Sequence, residues 1–185
     1  VRVEIVGGGP AGLYLGILLK RADPSVGVRV AERNAPDATF GWGVVFSEET
    51  LGSLRDADPE THLEITDTFA RWDRVDIRYR GRGLRSGGHS FSAIARRRLL
   101  EILQRRCRAV GVELEFGGEV SELPKVDLVV GADGIHSVVR RLTSEATVAL
   151  PRLVGQVGWR FVAPRPAEVT TWSVMLGRRN AFLTI

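Results

Sequence analysis

Three glycines in the run Val3-Glu-Ile-Val-Gly-Gly-Gly-Pro-Ala-Gly12 are spaced G-x-G-x-x-G directly after a short apolar segment. That spacing suits a backbone that must wrap a diphosphate. Gly7 permits a tight turn, Gly9 leaves no Cβ between backbone and phosphate oxygens, and Gly12 lets a following helix pack closely. Pro10 and Ala11 open that helix, whose free N–H groups and positive dipole end face the anion. About 20 residues further on, Glu32 closes a second apolar segment, Val28-Arg-Val-Ala31, and Arg33 follows it. A carboxylate there accepts hydrogen bonds from ribose hydroxyls and repels a 2′-phosphate. Together these residues predict a dinucleotide site.

A second unit of the same kind lies at residues 126–141, Val-Asp-Leu-Val-Val-Gly-Ala-Asp-Gly-Ile-His-Ser-Val-Val-Arg-Arg. A strand of the fully buried type delivers Asp133-Gly134 to a sharp turn. Ser137 follows in the next helix, and Arg140 lies a turn later. Asp-Gly turns are common in any protein; it is the presence of two strand-turn-helix units in one chain that gives this one weight. His62, His89 and His136 have no spacing that suggests a metal site, and no catalytic residue is legible.

The elements that must hold these residues alternate. A helix is expected from about Pro10 to Arg21, with Leu13, Ile17 and Leu18 as its apolar stripe and Asp23-Pro24 as its stop. A loop carrying Pro36, Gly41 and Gly43 leads to a helix near 47–55, capped by Ser47, and a further helix is expected over 59–69. The period changes to two over Val75–Ser86, which predicts an inserted hairpin bearing Arg80, Arg82 and Arg85. Helix resumes over 92–110, closed by Gly111, and strands follow at 112–116 and 126–130. The alternation predicts an α/β fold with a mostly parallel, Rossmann-like sheet. Strand-like segments at 154–162, 169–176 and 181–185 follow.

The 185 residues carry 44% apolar content, a net charge of +4 and a pI near 10.0. Lysine occurs only at Lys20 and Lys125, so the high pI reflects arginine. The densest cluster, Arg96-Arg97-Arg98 with Arg105, Arg106 and Arg108, lies within one predicted helix without interleaved aromatics. That is a solvated face and argues against nucleic acid. No run approaches the ~18 apolar residues of a membrane span. The single Cys107 excludes an internal disulfide. With the first strand beginning directly at the N-terminus, the expected location is cytoplasmic.

The pairing of Gly7-x-Gly9-x-x-Gly12…Glu32-Arg33 with Asp133-Gly134-x-x-Ser137-x-x-Arg140 resembles the single-component FAD-dependent aromatic hydroxylases of the p-hydroxybenzoate hydroxylase fold. Arg96, Leu99 and Leu103 match that family's R-x-x-L-x-x-x-L pattern. The resemblance implies tightly bound FAD, with the ADP half on the first motif and Glu32 on the adenosine ribose. It further places Arg96 on the phosphates, the backbone of Val120 by the adenine, and Asp133-Gly134 at the pyrophosphate. The Trp42-Gly43-Val44 loop would lie near the isoalloxazine. NADPH or NADH would serve as transient reductant, and O2 would add to the reduced flavin to give a C4a-hydroperoxyflavin that hydroxylates a small aromatic substrate. Phe40-Gly-Trp-Gly-Val-Val-Phe-Ser47 and Gly87-Gly-His-Ser-Phe-Ser-Ala-Ile-Ala-Arg96 further resemble the salicylyl-CoA and anthraniloyl-CoA hydroxylase branch. An aryl-CoA thioester is therefore among the candidate substrates.

The family's third motif, a downstream Gly-Asp pair, is not in the sequence. The chain opens on Val1 and stops at Ile185 inside an apolar strand, so an N-terminal portion is expected: an FAD-binding domain over 1–150, with the 70–90 hairpin reaching toward a substrate domain whose first antiparallel strands are 151–185. Two alternatives stay open: a non-catalytic nucleotide-binding fragment, and an FAD-fold reductase or halogenase. The oligomeric state is not legible.

Overall fold

The computed structural model describes residues 1–39 and 42–143, together with the backbone of 172–176 and 181–184. Strand β1 (Arg2–Val6) is followed by helix α1 (Pro10–Ala22) and β2 (Gly27–Glu32), a β-α-β unit in which β1 and β2 pair in parallel. Leu13 and Ile17 of α1 lie fully buried against Val3, Ile5 and Val30. Each such side chain contributes about 1.5–3 kcal/mol relative to exposure. Later strands β8 (Glu113–Phe116) and β9 (Leu128–Gly131) complete a parallel sheet in the order β8-β2-β1-β9. On the other face of this sheet, Arg29 bridges Glu4 at 2.7 Å and Glu115 at 2.6 Å, tying β1, β2 and β8. The expected Rossmann-like parallel sheet is present. One detail differs: β9 is an edge strand among the described residues rather than fully buried, with Leu128 49% exposed.

Between β2 and β8 lie β3 (Gly43–Phe46), α2 (Glu48–Ala57), α3 (Pro59–Asp67), β4 (Ala70–Trp72), β5 (Val75–Tyr79), β6 (Arg82–Ser86), β7 (Phe91–Ala95) and α4 (Arg96–Val110). Ser47 caps α2 as expected, accepting from the Thr50 amide. Two expectations are corrected. Residues 43–46 form a strand rather than part of a loop, and 92–95 form a strand rather than the start of a helix. The cause is mutual: β7 is the middle strand of a β3-β7-β4 sheet and takes hydrogen bonds on both sides. That pairing overrides the helical propensity of Ser-Ala-Ile-Ala. As a result Arg96 becomes the first residue of α4 instead of sitting inside it.

Helix α4 buries Leu99, Leu100, Ile102, Leu103 and Cys107 against α1 and ends at Gly111, whose φ of 85° is the left-handed cap expected. Burial pushes the Cys107 thiol up to about 12, so it is inert. Asp58, between α2 and α3 and 0% exposed, accepts two hydrogen bonds from Arg106 of α4 and one from Thr61. Arg21 of α1 lies 3.4 Å away. Burial alone would raise this carboxyl's pKa, but the Arg106 and Thr61 bonds outweigh it and hold it below the usual range.

The β5–β6 hairpin forms as expected and continues into a third sheet, β11-β10-β5-β6, through β10 (Trp172–Leu176) and β11 (Ala181–Thr184). β10 pairs with β11 antiparallel and with β5 in parallel, Trp172 opposite Val75 and Leu176 opposite Tyr79. The strand expected over 154–162 lies outside the described residues. Between β9 and these strands, α5 (Val138–Thr143) follows the Asp133-Gly134 turn. Ser137 precedes this helix rather than belonging to it.

Candidate nucleotide site

The turn after β1 and the turn after β9 close on one another. The Gly7 amide donates to Ala31 O at 2.8 Å, and the Ala132 amide donates to Val6 O at 2.7 Å. Gly7 has φ 114°, and a Cβ there would collide with the Ala132 carbonyl. A Cβ on Gly12 would strike the Gly7 carbonyl oxygen. Both glycines are thus required by the protein's own packing. Gly9 is different. Its backbone is extended at φ −74° and ψ 176°, which any residue adopts, and a Cβ would meet no protein atom within 4 Å. What Gly9 keeps clear is space in front of the α1 N-terminus. The first internal bond of that helix runs from the Leu13 amide to Gly9 O, leaving the Ala11 and Gly12 amides ahead of it, and no side chain caps the end.

A cleft of ≈ 200 Å³ opens there. Gly7, Gly9, Glu32, Arg33, Arg96, Val120, Asp133 and Gly134 all line it, so residues from five places in the sequence converge. Pro10, Ala11 and Gly12 form the helix start beside it without lining it. Trp42, Gly43 and Val44 do not line it either; Trp42 is exposed, and Gly43 and Val44 stand in β3, opposite Ala95 and Ile94 just before Arg96. A larger hollow of ≈ 460 Å³ lies on the β5–β6 hairpin, away from these residues.

Glu32 is held from two sides. Its Oε2 accepts from the Gly8 amide at 2.7 Å, and its Oε1 accepts from the Asn34 amide at 2.9 Å and the Asn34 side chain at 2.5 Å. A carboxylate accepts about four hydrogen bonds, so one lone pair remains for a ribose hydroxyl. Gln104 of α4 donates to Pro36 O at 2.9 Å and pins the loop that follows. Arg96 is half-buried and makes no hydrogen bond or ion pair among the described residues. An unspent guanidinium, an uncapped helix start and a cleared space in front of Gly9 fit a diphosphate between them.

Asp133 faces its own helix. It accepts from Ser137 Oγ at 2.6 Å, from the Val138 amide at 2.5 Å and from the Val139 amide at 3.3 Å, while Ser137 Oγ accepts from the Arg140 amide at 3.0 Å. The first three amides of α5 are therefore satisfied internally, unlike those of α1. Burial favours the neutral acid, but the Ser137 and amide bonds prevail and lower the pKa. Sequence reasoning missed Gly8, Asn34 and His136, which lines the cleft. Asn34 carried a signal, being a short double donor two residues beyond the acid; Gly8 and His136 carried none. No group of three or more potential metal ligands occurs among the described residues, and no helix there is long and apolar enough to cross a membrane.

Residues 1–176 match the family model described as an FAD binding domain, and the chain belongs to that family. It is 43% identical over 148 residues to salicyloyl-CoA 5-hydroxylase of Streptomyces sp, covering 78% of this chain and 29% of that protein. It is 34% identical over 155 residues to 3-hydroxy-4-methyl-anthranilyl-[aryl-carrier protein] 5-monooxygenase of Streptosporangium sibiricum, covering 84% of this chain and 44% of the relative. The chain thus spans less than half the length of either. Among solved structures, 2-methyl-3-hydroxypyridine-5-carboxylic acid oxygenase superposes with a TM-score of 0.64 at 24% identity, over 74% of this chain and 40% of that one. The p-nitrophenol 4-monooxygenase of Pseudomonas putida DLL-E4 gives 0.65 at 20%, over 76% and 42%. These likenesses establish the fold.

Proposed function

We propose that this chain is the FAD-binding portion of a flavin-dependent monooxygenase that hydroxylates an aromatic acid held as a thioester, with NADPH or NADH as reductant. The observation that carries it is the convergence of both strand-turn-helix units on one cleft with Arg96 unspent. The thioester is supported by the two relatives, whose names specify a CoA thioester and an aryl-carrier-protein conjugate.

Bound FAD would supply hydride acceptance from the nicotinamide and two-electron activation of O2, one atom of which would enter the ring while the other leaves as water. The chain's own residues bind and orient. Gly9 and the open α1 N-terminus receive the diphosphate, with Arg96 neutralising it. Glu32, fixed by Gly8 and Asn34, binds the ribose, while Asp133 keeps the second turn rigid by capping α5. Val120 lines the adenine end, and the strand carrying Gly43 and Val44 lies toward the flavin ring. The domain division belongs to the same proposal: 1–150 for the cofactor, with the 70–90 hairpin and 151–185 contributing to a substrate sheet. Pairing of β5 with β10 supports that division. A cytoplasmic location is supported by the buried free thiol of Cys107.

The test uses the full-length natural protein. Flavin absorbance, NAD(P)H oxidation stimulated by salicyloyl-CoA, and a product heavier by one oxygen atom are expected. A protein that takes up no FAD, or oxidises NAD(P)H without hydroxylating any aryl thioester, overturns the proposal.

A further inference from the structure

The β5–β6 hairpin displays four exposed arginines, Arg78, Arg80, Arg82 and Arg85, against a single acid, Asp76. Asp76 is already spent: it is buried and accepts two bonds from Arg85, at 2.6 and 2.8 Å. That clamp staples the two strands and removes Arg85 from the available charge. Arg78, Arg80 and Arg82 make no hydrogen bond or close ion pair with an acid among the described residues; Arg78 feels the Asp76 charge only at longer range.

Local folding does not account for these residues. Arg80 and Gly81 form the two-residue turn with φ 50° and 75°. A turn with both angles positive favours asparagine or glycine at its first position, and an arginine there is strained. Its guanidinium is held over the Tyr79 ring, 5.1 Å from the centroid. Gly83 stands inside β6 directly across from Arg78, with ordinary φ and a Cβ direction that meets nothing within 4 Å. Glycine weakens a strand, and neither backbone nor packing asks for it here. Its effect is to leave a bare floor beside Arg78 in a hollow of ≈ 460 Å³, lined also by Arg82 and Gly81.

We infer that this hairpin is an anion site for the phosphorylated nucleotide end of a CoA thioester, separate from the cofactor's diphosphate cleft. The inference rests on the thioester reading above. The Arg78 guanidinium beside a bare glycine, with Arg82 on another wall of the same hollow, suits phosphate oxygens, which arginine binds through paired N–H groups. The Asp76–Arg85 clamp, which lines the same hollow, and the pairing with β10 fix the hairpin before the ligand arrives.

The test measures Kd for salicyloyl-CoA and salicyloyl-pantetheine on the full-length holoprotein and on the R78Q/R82Q double variant. Flavin content and a cooperative melt confirm that the variant is folded. The wild-type protein is expected to bind the CoA thioester at least about tenfold more tightly, with an advantage that shrinks in high salt. The double variant is expected to bind the two thioesters equally. Wild-type binding of both probes with equal affinity, or a variant that keeps the preference, overturns the hairpin site while leaving the thioester reading standing. Failure to bind either probe overturns both. Tight binding only of the same acyl group on an acidic carrier protein replaces the occupant and overturns the CoA assignment.

Discussion

Gly8 and Glu32 are fitted to one another: the Gly8 amide donates to Glu32 Oε2 at 2.7 Å, and a Cβ on Gly8 would lie 2.7 Å from Glu32 Cβ. The glycine amide holds the carboxylate, and the absence of a side chain leaves room for it. Gly8→Ala is therefore expected to weaken FAD binding by about tenfold or more through a displaced Glu32, with a cost to the apoprotein of about 1–3 kcal/mol. Flavin fluorescence quenching on titration into apoprotein, with thermal melts alongside, reads both effects.

Gly9 and Gly12 should separate cleanly. Gly12→Ala forces a collision with the Gly7 carbonyl and should destabilise the apoprotein by about 1–3 kcal/mol or more. Gly9→Ala meets no protein atom and has an ordinary φ, so apoprotein stability should change by less than about 1 kcal/mol, the reduced freedom of the unfolded chain being offset by alanine's poorer fit at the α1 N-cap, while FAD affinity falls. Equal melting losses in the two variants would remove the case for a ligand in front of Gly9.

Arg96 has no partner to lose among the described residues. Arg96→Ala should leave the melting temperature of the apoprotein nearly unchanged and weaken FAD about ten- to hundredfold. Isothermal titration of apoprotein with FAD gives the number; an unaltered Kd would place the phosphates elsewhere.

Asp133 is a capping residue with a lowered pKa. Its contribution is fully present above the unfolded value near ~3.9 and is lost as pH falls through the lower folded value. Asp133→Ala should cost about 0.5–2 kcal/mol at neutral pH and flatten the acid limb of stability against pH. Urea titrations between neutral and acid pH measure both.

Asp58 follows the same sign, with stability present above the unfolded carboxyl pKa and lost through the folded one. Asp58→Ala leaves Arg106 buried without its bidentate partner and should cost about 3–5 kcal/mol. Glu60 also contacts Arg106 and should hold the loss toward the lower figure.

Where the chain's apolar period was long, the sequence was legible. Leu13 and Ile17 at helical spacing, and the Val28–Ala31 strand, foretold the parallel sheet because burial alone fixes them. Strands β3, β4 and β7 were not readable, since four or five residues carry little periodic signal and Ser92 resembles a helix cap. Their state is decided by pairing partners far along the chain. In the site, eight expected residues share one cleft because two motifs and Arg96 each bring their own local geometry. The fixing of Glu32 by Gly8 was hidden because an amide's partner is a tertiary fact. Asp58 read as loop punctuation before Pro59, whereas among the described residues it is the most deeply buried charge and joins α1, α2, α3 and α4.

The parallel pairing of Val75 with Trp172 also sets an order of events during synthesis. As the chain leaves the ribosome, β5 can turn back on β6 at once, but its other edge must wait until Trp172 has emerged. Throughout that interval the strand presents unpaired amides and carbonyls to neighbouring nascent chains. Arg78 stands on that waiting strand and Arg80 in the turn at its end, and their repulsion between copies would keep the strand unpaired until its own partner arrives.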